Sequence, residues 1–283
     1  MVSNAPVFEA AARGPLSQIA TICLLTYGDH MEYYQRCLTS ILATTPHDQF
    51  QLRLGFNASP KALAWTRQLL QPRAEVHTTL QVRGKVVTQV TFRTASNLSV
   101  TLFVADVNVC KWPMAQLMYH SPRLTTPYAV WFDDDSFVEQ GWWQALLPVM
   151  HQKIDYIGKL YVLPVFRGQD EMFRAMPWYK GRPFFMHEGR PSVVFVTGGF
   201  LTVRSACLQQ CNWPDLDFAF RGERLNHNGG DVMLGQIAYQ SDWSRAHHEE
   251  HIHINVDMNG QHPAPRRGVC EKVFGCLDQV VVM

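Results

Sequence analysis

The chain has 283 residues, 47% of them hydrophobic, so it has ample material for a buried core and is not a disordered polymer. Charged residues make up 17% and sum to a net charge of +1, from 25 Lys and Arg against 24 Asp and Glu. That balance excludes a globally basic nucleic-acid binder, though not a local basic groove.

In chain order, residues 1–17 read as a loose leader. Ile19 to Thr26 (IATICLLT) is a short, partly β-branched apolar run closed by Tyr27-Gly28-Asp29, which predicts a strand buried on both faces. Residues 31–43 carry Tyr34, Cys37, Leu38, Ile41 and Leu42 at helical spacing. Gln51 to Phe56 reads as the next strand. Residues 60–71 form a helix with Ser59 as N-cap and Pro60 at its first position. Glu75 to Val82 alternates as a strand, and Val86 to Phe92 and Leu98 to Val107 read as a further pair. Met114 to Tyr119 is helical, Ala129 to Phe132 a strand, Gln140 to Met150 a helix and Ile154 to Val165 a strand. The stretch 166–191 has no periodicity and is long for a connector, so it is a candidate functional loop. Val193 to Val203 is a strand interrupted by Gly198-Gly199, Asp231 to Tyr239 a helix, and His251 to Val256 a last strand. This succession predicts an α/β fold with a mainly parallel sheet, in one domain over 18–260, followed by a tail, 261–283.

No run reaches the roughly 18 apolar residues of a membrane span. The N-terminus has no basic region leading into an apolar one, so the expectation is a cytoplasmic protein with no integral membrane segment. The cysteines are Cys23, Cys37, Cys110, Cys207, Cys211, Cys270 and Cys276, with no CxxC pair, which predicts reduced, mostly buried thiols.

The densest chemistry lies where the strand Ala129 to Phe132 runs into Asp133, Asp134 and Asp135. In open α/β sheets ligands bind beyond the carboxyl ends of strands. If the segment stays extended, Asp133 and Asp135 project to one side and Asp134 to the other. Adjacent carboxylates repel, a divalent cation relieves that, and an all-oxygen donor set favours Mg²⁺ or Mn²⁺. A solvated acidic turn is the alternative reading.

Six segments together resemble a nucleotide-sugar glycosyltransferase of the GT-A fold, family-2-type and fringe-like, over roughly residues 18–256. They are Thr21–Gly28 (TICLLTYG), Arg53–Ser59 (RLGFNAS), Trp131–Asp135 (WFDDD), Asp155–Lys159 (DYIGK), Val196–Phe200 (VTGGF) and Gly229–Val232 (GGDV). The resemblance implies a metal-dependent transferase moving a sugar from a nucleoside-diphosphate sugar, UDP-linked by preference, to a hydroxyl acceptor. It implies donor contacts from Thr26, Tyr27, Gly28, Asn57, Lys111, Asp133 and Asp134, with Gly198 and Gly199 bordering the donor sugar. It implies Asp135 as the first metal ligand, followed by Asp133, with His253 and then His251 closing the shell around Mn²⁺ or Mg²⁺; a surface or acceptor-side role is the plain reading of either histidine. Asp231, at a helix start where the dipole favours a carboxylate, is the catalytic base, which suggests inversion. A helix-start acid and a solvated lysine remain the plain readings of Asp231 and Lys111. Arg266 and Arg267 would lie over the diphosphate as a lid, or simply be solvated.

The expected acceptor is a glycan or small molecule, with hydroxymethylated bases in DNA as the alternative. The loop 166–191 offers Arg167, Arg174, Lys180, Arg182 and Arg190 with interleaved Trp178, Tyr179, Phe184 and Phe185, for stacking or for an anionic acceptor; a hydrophobic flap over the core with solvated bases is the plain reading. From another reaction class, His247, Glu250 and His251 match the His-x-x-Glu-His pattern of a zinc hydrolase, which requires them on a helix.

Overall fold

The computed structural model describes residues 18–28, 30–165, 168–220, 223–224, 229–254 and 275–276. The leader 1–17 and most of the tail, including Arg266 and Arg267, lie outside them, as do Asp29 and Arg167.

The first half alternates strands and helices: β1 (Ala20–Tyr27), α1 (Met31–Thr44), β2 (Phe50–Asn57), α2 (Pro60–Leu70), β3 (Arg73–Val82), β4 (Lys85–Arg93), β5 (Ser99–Ala105) and α3 (Lys111–His120). Then come β6 (Tyr128–Asp133), β7 (Phe137–Val138), α4 (Trp142–His151), β8 (Tyr156–Pro164), α5 (Gln169–Arg174), β9 (Phe185–His187) and β10 (Arg190–Arg204). The last elements are α6 (Ser205–Cys211), β11 (Ala219–Phe220), β12 (Glu223–Arg224), α7 (Gly230–Gln240), β13 (Arg245–His247), β14 (Ile252–His253) and β15 (Gly275–Cys276).

The main sheet runs β13-β8-β10-β6-β1-β2-β5-β4-β3, with β9 on β10 and β15 on β8. Its centre, β6-β1-β2-β5, is parallel, as the sequence predicts. To one side β5-β4-β3 is antiparallel, and to the other β10 runs antiparallel between β6 and β8. The apolar run of β1 explains its central place. Ile22 and Leu24 enter the core beneath α1 and α4, while Cys23 and Leu25 enter the opposite core beneath α3 and α7. That period-2 split needs apolar residues at every position, because both faces carry helices.

Parallel register brings the carboxyl ends of the central strands to one edge: Tyr27 lies opposite Asn57, Asn57 opposite Ala105, and Leu25 opposite Asp133. Near that edge β10 shifts register against β8 between Val196 and Leu201. This bulge contains Thr197, Gly198 and Gly199. The buried Tyr156 hydroxyl bridges it, accepting from the Val196 N–H at 2.9 Å and donating to the Val196 carbonyl at 3.4 Å. Bulges of this kind re-aim a strand next to a site.

Two expectations change. Of the strand expected over His251 to Val256, the described residues form Ile252–His253, which pairs with β7 rather than the main sheet; Asn255 and Val256 lie outside the described residues. Before it, Arg245–His247 makes a separate strand parallel to β8. His247 therefore ends a strand, while Glu250 and His251 sit in a turn with His251 at φ +59°. The helix that a zinc-hydrolase reading needs is absent there. The loop 166–191 is also folded down: Phe173 and Phe184 are buried, and Trp178 packs against the same core. The Gln240 side chain holds this loop like a neighbouring strand, accepting from the Lys180 and Arg182 N–H groups and donating to the Arg182 carbonyl. Of the two readings of these aromatics, the flap over the core is the one that Phe173, Phe184, Trp178 and Phe185 follow.

No described helix is long and apolar enough to cross a membrane. Cys23, Cys37, Cys110, Cys207 and Cys211 are free thiols.

Candidate active site

A cavity of about 170 Å³ opens at the carboxyl edge of the sheet, lined by Tyr27, Asn57, Lys111, Asp133, Asp134 and Asp135. β6 ends at Asp133 and the chain turns there, the Ser136 N–H donating to the Asp133 carbonyl at 3.1 Å. The acidic segment is thus not extended, and each carboxylate has its own surroundings.

Asp133 faces the α3 side. Trp131, two residues earlier on the same strand face, donates its indole N–H to Asp133 Oδ1 at 2.9 Å, and Lys111 Nζ donates to Oδ2 at 2.6 Å. Asp134 turns towards β1, where the Thr26 hydroxyl donates to it at 2.7 Å and the Tyr27 backbone N–H adds a second bond. Burial outweighs these donors and pushes its carboxyl up to about 6, with the Asp133 charge adding to the rise. Tyr27 is 49% exposed at the cavity mouth.

Lys111 opens α3, and the loop before it is fixed by side-chain amides. Asn57 donates to Asn108 Oδ1 at 2.9 Å and accepts from the Val109 N–H at 2.7 Å, while the Cys110 N–H donates to Asn108 Oδ1 at 2.7 Å. Cys110 is held at φ 71° and ψ 164°, a conformation that normally belongs to glycine. Asn57 therefore acts through this loop as well as lining the cavity. Asn108 carried no signal beyond its type.

Lys111 also donates to the Gly198 carbonyl at 3.3 Å, and Ser136 Oγ donates to the Gly199 carbonyl at 3.0 Å. A Cβ on residue 198 would stand 2.9 Å from Lys111 Nζ and 3.8 Å from Asp231 Oδ2. The bulge thus joins the cavity to Asp231. That residue begins α7, with Oδ1 accepting the Val232 N–H at 2.9 Å. Burial raises the Asp231 carboxyl above the ordinary carboxylate value, the Lys111 charge opposes that, and the Asp133 charge adds to it. Trp112 and Trp213, in edge contact at 5.2 Å, fix the helix start. Trp213 donates to the Gly230 carbonyl at 2.9 Å, and a Cβ on Gly230 would lie 2.4 Å from the Trp112 ring. Gly230 must be glycine because an indole occupies its side-chain space.

The structure thus draws together Asp133, Asp134, Asp135, Lys111, Asn57, Tyr27, Thr26, Gly198, Gly199 and Asp231. Gly28 sits beside them, its N–H donating to the Asn57 carbonyl at 3.2 Å. The two histidines do not join. His251 lies against Gly141 at the start of α4, and His253 stacks on Phe137 at 4.4 Å with Nε2 3.0 Å from Glu139. The turn at His251 breaks the alternation that would have put both on one strand face.

Among the described residues no three His, Cys, Asp or Glu side chains are grouped to hold a metal. The donor set still fits a hard cation. Mg²⁺ commonly takes one or two carboxylates and completes its shell with water and substrate phosphates, and Asp133 and Asp135 are among the carboxylates that line the cavity.

No protein-family model and no curated protein sequence matches the chain. Among solved structures it is similar to TarS of S. aureus, at 13% identity and TM-score 0.46 over 78% of this chain and 55% of that one. A complex of TarS with UDP-GlcNAc matches at 12% identity and TM-score 0.46, over 82% and 59%. The mannosyltransferase PcManGT of Pyrobaculum calidifontis, in complex with GDP-Man and Mn²⁺, matches at 13% identity and TM-score 0.44, over 89% and 61%. The chain spans less than two thirds of the length of each of these proteins.

Proposed function

We infer that the protein is a glycosyltransferase that moves a sugar from a nucleoside-diphosphate sugar, UDP-linked by preference, onto a hydroxyl group with inversion. The observation that carries this reading is the continuous path from a three-carboxylate cavity, through Lys111 and the Gly198 bulge, to the desolvated Asp231. A donor needs charge compensation at its diphosphate, and an acceptor needs a base one sugar away. The placing of Asp231 beside the Gly198 bulge, next to Lys111 and the acidic cavity, supports a reading in which one sheet edge serves both needs.

Asp231 accepts the proton of the acceptor hydroxyl as the new bond forms at the sugar carbon and the bond to the diphosphate breaks. Its raised pKa makes it a stronger base than an exposed aspartate. Tyr27, exposed at the mouth, presents a ring to the nucleoside. Asp135 and Asp133 would hold Mn²⁺ or Mg²⁺. That cation would supply positive charge to the leaving diphosphate as its bond to the sugar breaks.

The acceptor favoured is a glycan or a small molecule. Arg182 is engaged by Asp242 and the Tyr239 carbonyl, and Arg174 lies over the Tyr179 and Phe184 rings, so neither is presented freely to a phosphate backbone. Calorimetry with UDP, GDP and TDP, each with and without Mn²⁺, tests the donor. Metal-dependent binding of UDP is expected; equal metal-independent binding of all three, or of none, contradicts the reading. UDP release measured against glycans, plain DNA and hydroxymethylated DNA tests the acceptor. Salt-sensitive transfer to DNA would reverse that choice.

A further inference from the structure

We propose that Lys111 is the positioning residue of the reaction, a cation set between the donor-side carboxylate Asp133 and the acceptor-side carboxylate Asp231 that fixes their separation. This rests on the functional reading above. It departs from the expectation that Lys111 binds the nucleotide and that Gly198 borders the sugar.

The ammonium is 2.6 Å from Asp133 Oδ2 and 3.3 Å from the Gly198 carbonyl. The point where a Cβ on residue 198 would stand is 2.9 Å from that ammonium and 3.8 Å from Asp231 Oδ2. Glycine at 198 therefore leaves room for the two charged ends to share one small volume.

The rest of the lysine is held with unusual care. Its side chain is only 17% exposed, with Nζ 4.9 Å from the centre of the Trp112 ring and 5.9 Å from that of Trp131. Its backbone follows the Asn57–Asn108 clamp and the constrained Cys110. A cation in the first turn of a helix opposes the helix dipole, and α3 has no acid in that turn. The local electrostatics of α3 do not call for Lys111; the two carboxylates across the bulge do. Contacts to Asp133, the Gly198 carbonyl and the Trp112 ring hold the ammonium in place, which suits a group that sets geometry, whereas a phosphate contact has to be free to reach its ligand.

Steady-state UDP release by wild type, Lys111→Met, Lys111→Arg and Gly198→Ala tests this, alongside calorimetry of UDP with Mn²⁺. For Lys111→Met we expect kcat to fall about a hundredfold, as for a base displaced by about 1 Å. Its donor KM and UDP affinity should stay within about threefold, since only transition-state geometry is lost. Lys111→Arg should restore part of kcat by returning the charge. Gly198→Ala meets no backbone, only the Lys111 ammonium closely and Asp231 Oδ2 at ordinary contact distance, so it should fold and still reproduce the kcat loss by shifting the ammonium. A raised donor KM with unchanged kcat in Lys111→Met would make Lys111 a phosphate contact and overturn the proposal, as would wild-type kcat in Gly198→Ala. If wild type itself neither binds UDP nor releases it from any UDP-sugar, the functional reading falls first and the proposal with it.

Discussion

Asp231 is held under opposing influences: burial and Asp133 favour its neutral form, and Lys111 favours its charged one. Burial wins, so its folded pKa lies above the ordinary aspartate value. The ionised fraction, and with it kcat, is then lost on acidification at a higher pH than for an exposed aspartate. A kcat–pH profile should show an acid limb above the ordinary aspartate range, and Asp231→Asn should abolish that limb while lowering kcat by about 10²–10⁴-fold. Asp135 makes a different prediction. Asp135→Ala should remove the Mn²⁺-dependent part of UDP affinity in calorimetry and leave the metal-independent part, because Tyr27 and Asn57 remain in place. Lys111 illustrates how far residue-level reading reaches. Its type and its place before a helix were visible in the sequence, but its partners, Asp133 and Gly198, are 22 and 87 residues away.

α7 is held to the sheet by the absence of a side chain. A Cβ on Gly235 would lie 2.4 Å from Phe195 Cβ and 2.5 Å from the Val194 carbonyl. Neither neighbour can swing away, so Gly235→Ala should cost about 1–3 kcal/mol in a denaturant titration. It should also lower activity, since Asp231 rides on the same helix. The parallel core strands were legible because burial on both faces writes an unbroken apolar run, as in ATICLLTY of β1 and YAVWF of β6. The acids after β6 and the glycines before α7 were legible for a similar reason: each breaks a pattern abruptly. The segment 245–256 was not, because its His and Glu alternate for only a few residues and the turn at His251 depends on the contact between the His251 carbonyl and the Glu139 N–H. In the sequence the loop 166–191 is open between a stacking surface and a flap over the core for the opposite reason. Its aromatics carry no period, and only the side chain of Gln240, on a helix well downstream, shows which way they fold.

Across the whole molecule, the buried titratable groups pull the pH dependence of stability in different directions, and Asp134 is the one whose contribution opposes the pH dependence of activity. Asp134 is raised to about 6 and Asp231 is raised as well, while Asp155, bonded by Ser244 and Arg204, lies below its ordinary value. Between about pH 6 and 4 the folded metal-free protein binds protons at Asp134 that the unfolded chain does not, so acidification stabilises it, by on the order of 1–3 kcal/mol. Asp155 works the other way, but its contribution is present above the ordinary aspartate pKa and is lost only as pH falls further. His120 and His248, which burial lowers, oppose this over part of the same range, so the Asp134 contribution is read as a difference: the gap in Tm between chelated wild type and Asp134→Asn should narrow from pH 7 to about pH 5.

The pairing of β1 with β6 has a consequence for how the chain is made. Thr26 and its partner Asp134 are 108 residues apart in sequence. At about 5–20 residues per second on a ribosome, β1 emerges about 5–20 s before the strand that completes one of its edges. Once β2 has emerged, and through the making of β5, the apolar run of β1 has β2 on one side and nothing to pair with on the other. The two ends of the donor cavity meet only when the strand is closed. A nascent chain stalled before residue 128 would therefore be a half-built sheet with a sticky open edge, the kind of species that holding chaperones bind, and with no cavity to protect it.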